Sequence, residues 1–161
     1  MGNLIIRNIQ VLDNEKLATI IRRVIEEYDV PKYGTVYSDP STDDLYGLFS
    51  KEGSAFFVAE KDETVLGCGG IYPTEGLPPH CAELVKLYLS KDARGKGIGR
   101  ALMEKCIDAA KANGYKQLYL ESLPQFAEAV NMYKQYGFEM ITGPLGNSGH
   151  TSCNVWMLKQ L

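Results

Sequence analysis

The sequence lacks a basic excess, a long apolar run and paired cysteines, and each absence removes a class of function. Its 17 Lys and Arg against 20 Asp and Glu leave a formal charge of −3, whereas a nucleic-acid surface shows the opposite balance. The longest apolar-or-glycine run, Val65 to Tyr72, falls far short of the ~20 residues that cross a bilayer. No signal-peptide hydrophobic region is expected from the Leu4–Ile6 cluster, which Arg7 interrupts. The four cysteines, Cys68, Cys81, Cys106 and Cys153, are scattered without a CxxC pair. No disulfide framework is therefore expected, and a reducing cytoplasm is the natural home. Low-complexity stretches and internal repeats are also missing.

What is present is an ordinary globular composition, 45% hydrophobic and 23% charged, which excludes disorder. At roughly 100–200 residues per domain the chain reads as one unit covering 1–161. Leu4–Ile9 predicts a first strand. Leu17, Ile20, Ile21, Val24, Ile25 and Tyr28 then recur at helical spacing until Pro31. Ser41-x-x-Asp44 predicts a cap on a second short helix running to about Phe49. Ala55–Glu60 and Thr64–Tyr72 predict a hairpin, whose second strand Gly67, Gly69 and Gly70 weaken unless something approaches its backbone closely. The remaining expectations are a strand over Ala82–Leu89, a helix over Ile98–Ala112 and a strand over Tyr115–Glu121. A helix over Gln125–Tyr136, ended by Gly137, and a hairpin of about Phe138–Ile141 with Thr151–Leu158 complete the chain. The order βααβββαβαββ implies an α/β (α+β) fold. One mixed, mostly antiparallel sheet is expected, with one central βαβ crossover and helices on its faces.

The most informative stretch is Arg94-Gly95-Lys96-Gly97-Ile98-Gly99-Arg100, between a buried strand and an amphipathic helix. Alternate glycines remove Cβ atoms where a ligand lies close to the backbone. A helix start offers unpaired N–H groups and a partial positive charge to an anion. Arg94, Lys96 and Arg100 add full charges, so a pyrophosphate fits. A Walker loop needs Ser or Thr after Gly-Lys, and here Gly97 follows Lys96. A G-x-G-x-x-G dinucleotide fingerprint needs glycine at 100, where Arg100 stands; Glu121, at the next strand's end, keeps that alternative open.

On these residues the sequence resembles the GNAT superfamily of acyl-CoA-dependent N-acyltransferases. Arg94-x-x-Gly97-x-Gly99 is similar to that family's (Gln/Arg)-x-x-Gly-x-(Gly/Ala) pyrophosphate motif. Cys81-Ala-Glu-Leu-Val-Lys-Leu-Tyr-Leu89 is similar to its acetyl-CoA-binding strand. Ala129-Val-Asn-Met-Tyr133-Lys-Gln-Tyr-Gly137-Phe138 resembles its second motif, with Tyr four residues before Gly-Phe. The resemblance implies a GNAT-like domain whose central parallel strands splay apart to admit acetyl-CoA as cosubstrate, with no metal. It places the pantetheine amides on the backbone of Leu87, Tyr88 and Leu89, and the pyrophosphate on Arg94, Gly95, Lys96, Gly97, Ile98, Gly99 and Arg100. It makes the N–H of Leu89 or a neighbour the oxyanion donor. Many relatives carry a cofactor-contacting Asn seven residues before the motif Tyr; here that place is Phe126, so no such contact is expected. Relatives often dimerise, so a homodimer is among the implied assemblies.

Amine acetylation sets three tasks: deprotonating an ammonium that is free base in roughly one part in a thousand near pH 7, holding an oxyanion, and protonating a thiolate. The resemblance puts a general base at Glu83, eleven residues before Arg94. On a regular pleated strand 83, 85, 87 and 89 share one face. Glu83 also reads as a strand-end salt-bridge carboxylate, and Glu121 is a competing base. The motif makes Tyr133 the general acid, although Phe126, Ala129, Val130 and Tyr133 equally form a core stripe. His80–Cys81 as a nucleophile, or with His150 and Cys153 as a zinc site, is disfavoured. Lys86 reads as an exposed face residue. Acceptor selection is expected from Tyr28, Tyr33, Tyr37 and Tyr46, or these merely pack, and from the loops Thr74–His80 and Gly143–His150. The leading expectation is a cytoplasmic acetyl-CoA:amine N-acetyltransferase with a small-molecule or peptide acceptor. A silent CoA-binding module and a nucleotide-binding domain are the alternatives.

Overall fold

A computed structural model describes residues 2–161. Its seven-stranded sheet has the spatial order β1-β2-β3-β4-β5-β7-β6. The strands are β1 (Leu4–Asn8), β2 (Ala55–Lys61), β3 (Thr64–Tyr72), β4 (Cys81–Leu89), β5 (Gln117–Ser122), β6 (Glu139–Met140) and β7 (Val155–Gln160). The helices are α1 (Asn14–Glu27), α2 (Leu45–Leu48), α3 (Ile98–Ala112) and α4 (Ala127–Gln135). Every neighbouring pair is antiparallel except β4 and β5, which α3 connects in parallel. This is the predicted order and sheet type. None of these helices is long and apolar enough to cross a membrane.

Both faces of the central strands are covered, which is why β2 reads as an apolar run rather than an alternating one. Phe57 and Ala59 of β2 point toward the α3 side, where Ile98, Leu102, Met103 and Cys106 are buried. Phe56 and Val58 point the other way, toward Leu17, Ile21 and Ile25 of α1. Those three α1 residues are fully buried, and each contributes about 1.5–3 kcal/mol by leaving water.

Several ends move relative to expectation. Asp39 accepts from the Ser41 N–H and caps a 3-10 turn over Pro40–Asp43, while Asp44 accepts from the Gly47 N–H and caps α2. Ser41 therefore caps neither. Tyr115 stays outside β5 because its N–H closes the last turn of α3 on the Ala110 carbonyl. Pro124–Phe126 form a 3-10 turn before α4. Residues 151–154 are held to the N-terminal region and to turns, with Ser152 N–H donating to the Gly34 carbonyl, so β7 begins only at Val155. Gly137 follows α4 as expected, at φ +92°.

The sheet is irregular where β3 meets β4. Cys68 faces Tyr88 but Gly70 faces Val85, so two β4 residues oppose Gly69, the arrangement of a β-bulge. Lys86 sits in the bulge at φ +55°, a conformation that costs an L-residue roughly 1–2 kcal/mol. The buried Cys68 thiol donates to the Lys86 carbonyl at 3.3 Å. A bulge reverses face parity. Residues 87 and 89 therefore pack on the α3 side and Val85 and Tyr88 on the α1 side, correcting the expectation that 83, 85, 87 and 89 share a face. The backbone approaching the β3 glycines is that of neighbouring strands: a Cβ on Gly67 would lie 2.6 Å from the Tyr88 carbonyl oxygen.

Candidate active site

β4 and β5 pair over three residues only, Cys81–Glu83 with Gln117–Tyr119. Beyond Glu83 the edge of β4 that faces β5 has no strand partner, and β5 continues to pair β7 on its other side. A cavity of about 370 Å³ opens in this gap. Its walls include β4 from Glu83 to Leu89, the start of α3, the end of β5 and the α4 side chains.

At one end lies the glycine turn. Gly95 and Gly97 take φ +74° and +81°, and a Cβ on either would meet nothing within 4 Å. Conformation and open space therefore both mark these positions. No side chain caps α3, so the first-turn amides remain available to an anion. Gly95, Gly97 and Gly99 line the cavity together with Arg94 and Arg100. The guanidinium of Arg94 already has partners: it donates to Glu27 at 2.9 Å and to the Leu89 carbonyl at 3.1 Å, and it stacks 5.1 Å from the Tyr28 ring centroid. Arg100 donates to Gln135 and lies 5.8 Å from the Tyr136 ring centroid. Lys96 is exposed and outside the cavity wall, and the Ile98 side chain is buried in the core, leaving its backbone N–H at the turn.

At the middle stands Tyr133, in the wall of the cavity yet almost fully buried. Its ring packs edge-on against Phe138 at 5.9 Å. Ala129 and Val130 join it in the core on the α3 side, whereas Phe126, expected in the same stripe, packs in the other cluster; the Tyr133 hydroxyl is not sealed in the core and makes no hydrogen bond among the described residues. Burial raises its pKa well above the ordinary tyrosine value, so it holds its proton throughout the neutral range. Phe126 joins an aromatic wall with Tyr28 at 5.1 Å and Tyr88 at 6.3 Å.

The far end carries the carboxylates. Glu83 is 4% exposed and accepts from the Thr74 hydroxyl at 2.6 Å. Burial pushes its pKa up to about 7; the Thr74 hydrogen bond opposes this, Glu121 adds to it and Lys86 opposes it. A carboxylate titrating there is matched to proton transfer at neutral pH. Glu121 also lines the cavity, but its oxygens accept from the Tyr119 and Ser148 hydroxyls. His150 Nε2 lies 3.0 Å from Asp39 Oδ2, tying the Gly143–His150 loop to the N-terminal region. Burial pushes Asp39 up, yet the His150 and Ser41 hydrogen bonds outweigh it and hold the carboxyl below its usual range.

Some expectations shift. Of the four N-terminal tyrosines only Tyr28 reaches the cavity; Tyr37 packs in the α1 cluster, while Tyr33 and Tyr46 are exposed. Lys86 is not an exposed face residue: it is partly buried in the cavity wall. Its placement, like the Asp39–His150 pair, carries no local sequence signal. His80 and Cys81 lie outside the cavity wall, and burial pushes the Cys81 thiol up to about 11. Among the described residues no three His, Cys, Asp or Glu side chains converge to hold a metal ion.

Comparison with known proteins bears on the fold and the family. The chain is 37% identical over 158 residues to the uncharacterized N-acetyltransferase YjgM of Escherichia coli (strain K12), spanning 98% of this chain and 95% of that one. The fold is that of a GNAT-family acetyltransferase crystal structure from Staphylococcus aureus Mu50, with a TM-score of 0.86 and 20% identity over 99% of both chains. It also matches yncA of Salmonella typhimurium, solved with its cofactor acetyl-CoA, with a TM-score of 0.79 and 19% identity over 99% of this chain and 94% of that one. The sequence pattern of the acetyltransferase (GNAT) family covers residues 21–138, and this chain is a member of that family.

Proposed function

We propose that the enzyme moves an acetyl group from acetyl-CoA to a primary amine by direct attack, with Glu83 as general base and Tyr133 as general acid. The observation carrying this reading is that Glu83, Tyr133 and the uncapped start of α3 line one cavity. The residues present suit the cosubstrate. The unpartnered edge of β4 over Leu87, Tyr88 and Leu89 offers backbone groups to an extended amide chain, in the manner of an added strand. Arg94, Gly95, Lys96, Gly97, Ile98, Gly99 and Arg100 surround the pyrophosphate position, chiefly through backbone N–H groups. Residues 1–161 act as one catalytic unit, within a reducing compartment that suits four free cysteines.

When bound, the coenzyme supplies an acyl carbon activated as a thioester. Glu83 takes a proton from the acceptor ammonium, directly or through water. The amine nitrogen then forms its bond to the acyl carbon as the carbon–sulfur bond breaks; the nitrogen's second proton passes through water to the oxygen of Tyr133, replacing the one given to sulfur, and the proton on Glu83 is released to solvent. A backbone N–H near Leu89 holds the developing oxyanion, and the Tyr133 hydroxyl gives its proton to the departing sulfur. The Cys153 thiol, though in the cavity wall, is pushed up to about 12 by burial. It therefore stays protonated and is a poor nucleophile, which favours direct attack. Glu121 is the weaker base because both its oxygens already accept hydroxyl hydrogen bonds.

The test is release of free thiol from acetyl-CoA across a panel of primary amines, with mass detection of the acetylated product. Amine-dependent release with a matching N-acetyl product is expected. Tight coenzyme binding with no product across the panel identifies a silent CoA-binding module. Thermal stabilisation by NAD or ATP and none by coenzyme A returns the nucleotide-binding alternative.

A further inference from the structure

Glu83 and Lys86 stand at the far end of the cavity, near enough for each to favour the other's charge, yet among the described residues they form no direct ion pair. Around them, charge is already paired or held. Asp39 pairs with His150 and accepts from Ser41, and Glu121 accepts from Tyr119 and Ser148. The Lys86 ammonium, by contrast, has no ion pair or hydrogen bond among the described residues, and it stands in the cavity wall without being sealed off. The strained bulge, fixed by the Cys68 thiol, takes this lysine out of the normal alternation of the strand. An unpaired cation kept partly desolvated is costly unless a ligand neutralises it.

We propose that Lys86 anchors a carboxylate on the acceptor, so that the substrates are amines that also carry a carboxylate, free amino acids being the simplest. This inference rests on the N-acetyltransferase reading above and names its substrate class. The ammonium of such a zwitterion faces Glu83, which removes its proton, while its carboxylate faces Lys86. A polyamine brings a second cation against Lys86, and a neutral alkyl amine leaves Lys86 unpaired; both are selected against. Burial lowers the pKa of Lys86, and the charges of Asp39 and Glu83 work against that lowering. A bound carboxylate joins them and secures the charged form.

The experiment measures kcat/KM at saturating acetyl-CoA for L-amino acids of varied side chain, each paired with its own amide, with putrescine and spermidine as cationic controls. Hydrogen bonds to charged groups set the expected scale, and the best acids exceed their amides by about 10- to 100-fold. Lys86→Met brings the ratio of acid to amide kcat/KM to about one, leaving the KM for acetyl-CoA unchanged within about two-fold, and Lys86→Arg restores most of the ratio. Wild-type enzyme that uses amides or polyamines as well as acids overturns the proposal without any variant. So does a Lys86→Met enzyme that keeps the wild-type ratio of acid to amide kcat/KM. If acetyl-CoA binds but no amine of any kind is acetylated, the N-acetyltransferase reading fails and this one falls with it. Turnover of amines without a preference for acids removes only the anchor.

Discussion

The Thr74 hydroxyl donates a 2.6 Å hydrogen bond to Glu83 Oε1, tying the loop after β3 to the buried carboxylate of β4. One neutral donor is too little to offset the loss of water around that carboxyl. Its pKa accordingly rises to about 7, from 4.5 in the free side chain. Thr74 therefore orients the group without fixing it in its charged form, which suits the proposed role as a base that releases its proton each turnover.

The rate should follow this titration. In the wild type, kcat/KM rises with pH and levels off above about 7. Glu83→Gln keeps the shape and the Thr74 contact but cannot take a proton. Its kcat/KM should fall by about 10²- to 10³-fold, the size of a lost general base, and the inflection near neutrality should vanish. A pH–rate profile of both proteins checks this.

Stability should move the opposite way. Between pH 4.5 and about 7 the folded chain holds a proton on Glu83 that the unfolded chain has released. Wild-type stability therefore declines as pH rises through that window, and the full penalty applies above it. The gap corresponds to at most about 3 kcal/mol. Glu83→Gln should melt several degrees above wild type at pH 8 and close to it at pH 4.5, as read by thermal unfolding without coenzyme.

Tyr133→Phe should separate chemistry from packing. The ring keeps its edge-on contact with Phe138, so the melting temperature should change little. Loss of the proton donor should lower kcat by about 10- to 100-fold while the KM for acetyl-CoA stays within about three-fold. Steady-state kinetics decide it, and an unchanged kcat removes the acid role.

The glycines of the α3 turn should not behave alike. Gly97 is at φ +81°, so Gly97→Ala should lose about 1–2 kcal/mol of stability and raise the KM for acetyl-CoA. At Gly99 a Cβ meets the Leu89 side chain at an ordinary 3.5 Å. There Ala should instead gain up to about 1 kcal/mol through helix propensity. Thermal melts of the two variants in the absence of coenzyme give opposite signs.

Local chemistry made much of this legible. The start of α3 follows from Gly97 and the apolar spacing behind it, and the end of α4 from Gly137; both signals lie within a turn of the boundary they mark. The parallel neighbours of the sheet follow from one crossover helix. What escaped the sequence depends on distant partners. The bulge at Lys86 comes from a mismatch of register between β3 and β4, and no residue within β4 announces it. Strict alternation therefore groups residues 87 and 89 with 83 and 85 on one face, which the bulge prevents. Counting charges near the glycines likewise gave no hint that Arg94 is held by Glu27, 67 positions earlier. Tyr133 fills the core with its ring and also lines the cavity, so packing alone does not separate its core reading from its proposed role as acid.

The three-residue seam between β4 and β5 has a mechanical consequence. Most sheets are weakest at their rims, where the outermost strand has a neighbour on one side only. This one has its softest line down the middle, closed at one end like a half-drawn zip. The two blocks of strands share the core beneath α3 but only three rungs of the sheet itself, so a coenzyme in the proposed position would act as mortar at the open end. On the proposed function, cargo and keystone would be the same molecule, and each release of product would loosen the building that made it.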